Sequence, residues 1–412
     1  HGVDMPTQND VGFQAGIIMM MCSGLGSEGE MYVRRVIAAA YKRYSRPSRE
    51  SKYWSSSLDD ELNKAVERAG IKIIPNRTRV WDVVDELFRL GFVSESARAQ
   101  RYAMPILDDL VAASADHTLR DYEQAKTPSG EYLRDVFARQ ISEAVNSYEL
   151  LAGVTQYDLG AARAVSLDME EVVKSSSGDT ANNRKAIMYL YGRRLAAQKY
   201  FLRWEEIEKM VPDEYRGYLK DQVDATWVAP KFLAFDELHY TGGCAGIRKQ
   251  LGEDQRVGRK YNLMVLAASQ ELDDLPSDML RNCYSFAILG ANDATELARV
   301  KEVFDLSDAE AASIASHCTG HGPFFFRANM NSGIVSQALV SEAGPVARWA
   351  FTTSPFDAPL RDRLALKVGS VAASAILAKA FPSGSVRSAK ERKQQQMVAE
   401  GRSSEEALLA YF

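Results

Sequence analysis

The chain has 412 residues, of which 46% are hydrophobic and 25% are charged, and its formal net charge is -5. This composition excludes a disordered or fibrous protein and is sufficient for about two or three domains with a large buried core. Because 50 basic side chains are balanced by 55 acidic ones, no bulk electrostatic attraction to nucleic acid or anionic lipid is expected.

The sequence also lacks a membrane-spanning segment and a disulfide-like cysteine pattern. The longest apolar run, residues 15–22, is much shorter than the roughly 20 residues that a membrane-spanning helix needs. The four cysteines lie far apart, without a CxxC pair or a disulfide-like spacing, which favours a reducing compartment. The sequence therefore predicts a globular protein without a transmembrane segment.

Residues 1–160 are expected to form an all-helical domain. Breaker-rich segments at 45–52 and 126–131 separate stretches in which apolar residues recur at steps of three and four. These stretches are 31–44, 79–92, 95–116 and 132–153.

Residues 161–370 are expected to form an α/β domain with a mostly parallel sheet. Short strand-like segments alternate there with helical ones, and several strands are continuous apolar runs, as in strands covered on both faces. The expected strands are 162–172, 232–237, 263–269, 284–290, 322–328, 333–340 and 347–354, and a long helix is expected over 184–210.

Residues 371–412 are expected to form a C-terminal helical tail. Ser403 and Glu406 have the spacing of a capping box before a final helix over 405–412.

The stretch FLAFDE is the first candidate for chemistry. In nucleotide hydrolases, a buried strand often ends in an Asp that holds the magnesium shell, and a following Glu takes a proton from the attacking water. Asp236 and Glu237 have this arrangement, the so-called Walker B pattern. The alternative is an ordinary buried strand that ends in an acidic helix-capping residue.

Two more segments bear on the same site. Strand 263–269 is followed by Gln270, and the carboxyl ends of parallel strands share one edge of a sheet, so Gln270 is expected near Glu237. A neutral amide there can orient a water or sense a γ-phosphate. Before this strand lies the basic cluster 256–261, in which Arg259 is a candidate arginine finger; a solvated basic turn is the alternative.

Other residues offer weaker chemistry. His317, Cys318 and His321 are possible zinc ligands, but Gly320 and Gly322 disturb the helical spacing and no fourth ligand lies nearby. Cys244 lies in a glycine turn without a base at a motif spacing, which favours a small buried residue. His239 either lines the cleft or is a loop histidine without a catalytic role.

Taken together, FLAFDELH, RKYNLMVLAASQELDDLP, MLRNCYSFAILGAN and ARWAFTTSP resemble the nucleotide-binding core of conjugation and type IV secretion ATPases. The resemblance is greatest to the TraU/IcmB/DotO branch of the HerA/FtsK-like RecA-fold motors, over about residues 160–370. Residues 1–160 resemble, more loosely, the large helical insertion of these proteins.

The resemblance implies a RecA-like P-loop NTPase core that uses ATP and Mg²⁺. It implies that Asp236 is the magnesium-shell acid acting through water, Glu237 the catalytic base and Gln270 the γ-phosphate sensor. Arg259 would be the finger that acts on a neighbouring subunit, with Arg281 as a second candidate. The implied protein is a cytoplasmic hexamer on the inner-membrane face of a secretion channel.

One expected motif is missing. A phosphate loop needs GxxxxGK[ST], since its backbone amides wrap the phosphates and its Lys neutralises them. No Gly-Lys dipeptide occurs in the 412 residues. We therefore expect the phosphate loop to lie upstream of His1 and the isolated chain to be inactive. A degenerate subunit and a non-catalytic assembly scaffold of the same kind of complex remain as alternatives, and the cargo, protein or DNA, stays open.

Overall fold

The residues that the structure describes form an α/β arrangement, mostly helical, with two small sheets. The computed structural model describes residues 2–156, 162–169, 172, 179–241, 244–275, 277–291, 293–319 and 322–387. Its contacts divide the chain into two units, His1–Asn282 and Cys283–Phe412. This division coincides with neither of the borders expected at 160 and 370.

The first unit is built mainly from helices. They are α1 (Gln8–Met21), α2 (Gly29–Arg43), α3 (Asp60–Arg68), α4 (Val80–Arg89), α5 (Val93–Ala103), α6 (Asp109–Ala113), α7 (Leu133–Ser147), α8 (Glu149–Ala152), α9 (Asp179–Ala197), α10 (Trp204–Ile207) and α11 (Asp213–Val228). The stretch 95–116, expected as one helix, is broken because Pro105 disfavours helical backbone at Met104, where ψ is 155°. The long helix expected over 184–210 ends already at Ala197.

Several buried clusters hold the helices of this unit together, and two of them lie among α1 to α7. Tyr32, Val36 and Phe137 lie at the centre of the core between α1, α2 and α7, and all three are almost fully buried. Trp81 and Leu87 occupy the centre of the core between α3, α4 and α5. Both cores consist of the apolar faces that the three- and four-residue periodicity predicts.

The first unit also contains one pair of parallel strands, β1 (Lys231–Phe235) and β2 (Leu263–Ala267). Between them runs α12 (Ala245–Gly258), and α13 (Ser277–Arg281) follows β2. Leu233 and Phe235 point to the inner face, which packs on α9 and α12. The outer face is apolar yet open, with Phe232 50%, Met264 66% and Leu266 47% exposed.

The second unit begins with an antiparallel sheet in the order β3-β4-β5. Its elements are β3 (Ser285–Ile288), α14 (Ala294–Val303), α15 (Asp308–His317), β4 (Pro323–Met330), β5 (Gly333–Val340), α16 (Pro345–Ala350), α17 (Ala358–Val368) and α18 (Ser370–Ala380). Helix α15 packs on β4 and β5. Trp349 of α16 is fully buried against Leu377 and Val386.

The structure corrects the expected sheet. The mostly parallel sheet is wrong for the described residues, in which one parallel pair and one antiparallel sheet occur. Segment 284–290 pairs with β4 and not with β2. Only Asn331 and Ser332 separate β4 from β5, and so short a loop joins antiparallel strands, because parallel ones need a long crossover.

Two expected strands are also wrong or incomplete. Segment 347–354 is helical up to Ala350, because Pro345 at the first turn favours a helix start after Gly344. Residues 162–169 contain no strand, and residues 170–171 lie outside the described part.

The tail expected over 371–412 is helical up to Ala380, and the final helix over 405–412 also lies outside the described residues.

In the part of the chain that the structure describes, no helix combines the length and the apolar character that crossing a membrane requires.

Candidate functional site

The candidate site lies where β1 and β2 end. The two strands are paired in register from Lys231 with Leu263 to Phe235 with Ala267, so their carboxyl ends lie at one edge of the sheet. Asp236 and Glu237 leave β1 at this edge, and Gln270 follows β2. In open α/β sheets this edge is where ligands bind.

The backbone at Glu237 forms a bulge. The Ala268 N–H donates to the Phe235 carbonyl at 2.8 Å, and the Ala268 carbonyl accepts from the Leu238 N–H at 3.0 Å. A regular parallel ladder would have a single residue between these two bonds, and here Asp236 and Glu237 both lie between them. The extra residue is accommodated by a left-handed conformation at Glu237, with φ of 53°.

The Glu237 carboxylate is hydrogen-bonded by Gln270 and lies close to His239. Its Oε2 accepts from Gln270 Nε2 at 3.0 Å and lies 2.9 Å from His239 Nδ1. The Glu237 side chain remains 47% exposed, so water reaches the carboxylate. The contact between Glu237 and Gln270, expected from strand order, is present; the catalytic roles of the two residues stay predictions.

Asp236 lies beside this pair and is exposed. Its Oδ1 accepts from the Glu237 backbone N–H at 2.9 Å, which orients the carboxylate towards the bulge. Burial raises the pKa of Tyr189 on α9 to about 12, and the negative charge of Asp236 acts in the same direction. The phenol of Tyr189 therefore stays protonated next to the site at neutral pH.

The geometry of this edge suits a magnesium ion but does not by itself suit the phosphates of ATP. Magnesium keeps most of its waters and takes one or two carboxylates, which suits the exposed Asp236. In the described residues no three His, Cys, Asp or Glu side chains are grouped closely enough to hold a metal directly. Nucleotide phosphates need cations or a nest of amides, and the side chains that meet at Glu237 are a carboxylate, an amide and an imidazole.

The two candidate arginines lie elsewhere. Arg259 begins the 3₁₀ turn Arg259–Tyr261, which precedes β2 at its amino end. The length of β2, about 17 Å, separates that turn from the edge with Gln270. The basic cluster 256–261 is therefore the end of α12 and a 3₁₀ turn, and not the loop that the sequence suggested. Within one chain Arg259 does not join Glu237.

Arg281 is the exposed last residue of α13, a helix that packs against α12. Gln255 of α12 donates to the Met279 carbonyl at 2.9 Å, which holds α13 in this position. Arg281 thus lies on the helical layer beside the strands rather than in the bulge.

The other weaker candidates, His317, Cys318 and Cys244, show only local contacts in the described residues. The His317 Nδ1 lies 2.8 Å from Ser316 Oγ, Cys318 is buried, and His321 lies outside the described part. Cys244 is buried with its Sγ 3.3 Å from the Asn182 carbonyl, and burial raises the pKa of its thiol. A protonated, enclosed thiol is a poor nucleophile.

Sequence reasoning left two contacts unrecognised. The sequence leaves the role of His239 undecided. In the structure, the left-handed backbone at Glu237 places the His239 ring next to the Glu237 carboxylate. Ser269 Oγ donates to the buried Asp274 at 2.6 Å and fixes the turn that presents Gln270. The closely spaced acids in ELDDLP were the available signal for that turn.

No family model, no curated protein and no solved structure matches the chain.

Proposed function

We propose that this edge is the acid–base half of an ATP-hydrolysing site, in a motor subunit of a type IV secretion or conjugation apparatus. The observation that carries the proposal is the Glu237 carboxylate, exposed to water and bonded by Gln270 at the carboxyl edge of two parallel strands. The parallel pair supports, as part of this proposal, a RecA-like core that further strands extend.

The residues divide the chemistry among them. Water attacks the γ-phosphorus as the bond to the bridging oxygen breaks, and Glu237 accepts the proton that the water loses. Gln270 orients that water and keeps Glu237 in place. Asp236 would hold a magnesium ion through a water, and the ion would supply positive charge to the phosphate oxygens.

The remaining parts come from outside the described site. The phosphate loop is supplied by another segment of polypeptide, because these residues contain no Gly-Lys pair. Arg259, being far from its own Glu237, acts on the neighbouring subunit of a hexamer, with Arg281 as the second candidate. The motor works in the cytoplasm on the inner-membrane face of a secretion channel, and its partners are the channel components and other secretion ATPases.

The first test is to read the gene upstream of the codon for His1 for GxxxxGK[ST] on a strand-to-helix turn. The product of the whole reading frame is then assayed for magnesium-dependent ATP hydrolysis. We expect Glu237→Gln to lower turnover by about 100-fold or more while nucleotide binding persists, since a general base contributes on that scale. The 412-residue chain alone is expected to show negligible turnover.

The matched control is Glu342→Gln, which removes an exposed carboxylate from the segment after β5. It should leave turnover unchanged. Magnesium-dependent hydrolysis that survives Glu237→Gln would contradict the assignment of the base and, with it, the proposed site.

The second candidate is a non-catalytic assembly scaffold, and one observation favours it. Phe232, Met264 and Leu266 form an exposed apolar surface on a parallel pair, and such strands are normally covered on both faces. A reading frame without a phosphate loop, with no nucleotide binding by its product, would select the scaffold over the motor.

A further inference from the structure

A cavity of about 300 Å³ lies within the helical part of the first unit, separate from the Glu237 site. Its wall is formed by α1, α2, α9, the turn 104–107 and the segment 151–155, together with Arg101 of α5 and Leu110 of α6. Arg101 Nη1 donates to the Thr155 carbonyl at 3.2 Å and so ties α5 to that segment.

Most of the wall is aliphatic, aromatic or thioether surface. The apolar residues that line it include Ile17, Ile18, Met21, Ile37, Ile106 and Leu107. Pro105 ends α5, so the chain leaves the helix there and presents Ile106 and Leu107 to the cavity instead of to α5. A wall of this kind favours ligands with an apolar body.

The cavity has a polar corner at Gln14 and Tyr41, and Arg101, Thr155 and Tyr191 also line it. The Gln14 Nε2 donates to the Tyr41 hydroxyl at 2.9 Å, and both side chains line the cavity. Burial raises the pKa of Tyr41, so the hydroxyl keeps its proton. Among the hydrogen bonds of the described residues, none uses that proton. Tyr41 is therefore a directed donor that a ligand oxygen can satisfy.

The volume sets the size of the ligand. An engineered apolar cavity of about 150 Å³ takes up benzene, so a cavity of twice that volume suits a molecule of about two fused rings. Protein sites for small molecules begin at about this volume and combine an apolar wall with few polar groups.

We propose that this cavity is a binding site for a small apolar molecule that carries a single hydrogen-bond-accepting oxygen, which the Tyr41 hydroxyl recognises. The proposal is independent of nucleotide hydrolysis, since none of its residues belongs to the edge at Glu237.

The test uses a matched pair of probes, 1-tetralone and tetralin, which share a two-ring body and differ by the carbonyl oxygen. The whole chain, labelled at isoleucine methyl groups, is titrated with each probe by NMR. We expect saturable shifts at Ile17, Ile18, Ile37 and Ile106, and none at Ile247, which lies in the core around β1 and β2. Tetralone should bind about 3- to 10-fold more tightly, as one added hydrogen bond allows.

The conservative variant is Tyr41→Phe, which keeps the shape and removes the donor. It should bring the affinity for tetralone down to that for tetralin and leave tetralin binding unchanged. A purely structural role of Tyr41 would alter both probes alike.

A second variant narrows the cavity without touching the polar corner. Met21→Trp combined with Leu107→Trp should abolish binding of both probes. The proposal is overturned if neither probe saturates, if the shifts appear outside the cavity, or if Tyr41→Phe keeps the preference for tetralone.

Discussion

Glu237 differs from the other residues that share its backbone conformation. Of the described non-glycine residues with positive φ, the remaining three are Asn76, Asn262 and Asp305, side chains that tolerate the left-handed region. The longer Glu side chain does not make the local hydrogen bonds that stabilise Asn and Asp in this conformation. The left-handed backbone at Glu237 therefore costs about 1–2 kcal/mol. Such strain at a single residue is consistent with the role proposed for the Glu237 carboxylate.

We expect Glu237→Gly to raise the free energy of unfolding of the first unit by up to about 1 kcal/mol, because glycine adopts positive φ without strain. The lost contacts to Gln270 and His239 reduce the gain. Denaturant unfolding followed by circular dichroism measures the change.

Asn76→Gly is the matched control, because Asn76 is exposed and also has positive φ. Its effect should be smaller, since Asn already tolerates the conformation. A clear loss of stability in Glu237→Gly would mean that the carboxylate contacts outweigh the backbone strain.

At the scale of elements, the sequence predicted where most strands lie better than it predicted how they pair. FLAF and LMVLAA are strands and are parallel, because continuous apolar runs around a crossover helix favour that pairing. GPFFFRA and GIVSQALV are strands as well, but their pairing depends on a two-residue loop whose geometry overrides the parallel expectation. In ARWAF, small and large residues alternate as in a strand. The segment is nevertheless helical up to Ala350, because Pro345 favours the start of a helix.

The candidate site was predictable to a similar degree. Strand order brought Gln270 to Glu237, a rule that needs no atomic detail. The bulge and the contact with His239 depend on one backbone angle, for which a Glu in the sequence gives no signal. Arg259 is close to β2 in sequence, which suggested a position near the site. Because it precedes β2, it lies at the opposite end of that strand from Gln270.

Asp59 is the element-scale feature with a testable pH dependence. Its carboxylate caps α3 by accepting from the Glu61 and Leu62 N–H groups at 3.0 and 3.1 Å. Burial acts to raise the pKa of Asp59, but the Leu62 N–H and the Arg98 guanidinium outweigh it and hold the pKa below its usual range. The stabilisation is therefore present above the unfolded pKa of about 3.9 and is lost as the pH falls through the lower, folded value.

We expect Asp59→Ala to lower the free energy of unfolding by about 1–2 kcal/mol at pH 7, as loss of an N-cap does. The difference from the parent chain should shrink on acidification below about pH 4. Urea unfolding at pH 7 and pH 3 measures both values. Asp59→Asn keeps a capping oxygen and should cost less; an equal loss at both pH values would contradict the role of the charge.

At the scale of the whole molecule, the division after Asn282 predicts that damage in one unit stays there. Trp349 is the sharpest probe, since it is 0% exposed and its Nε1 donates to the Phe381 carbonyl at 2.9 Å. Trp349→Ala should destabilise the second unit by about 3–5 kcal/mol.

Hydrogen exchange with mass spectrometry tests this expectation. Exchange should accelerate over residues 345–381 and remain unchanged over α1 to α5. Trp349→Phe, which retains the ring packing and loses the hydrogen bond, should have a smaller effect. Equal acceleration in both units would indicate that the chain unfolds as one cooperative body.

The bulge at Glu237 has a mechanical consequence. Both of its closing bonds go to the peptide groups of Ala268, two residues before Gln270. If β2 slides along its axis, it carries Gln270 with it and pulls Glu237 by the same amount through Ala268. The Glu237 carboxylate and the Gln270 amide would therefore move together, and their spacing would be preserved. A site joined in this way keeps its internal alignment and changes only its distance to whatever lies opposite.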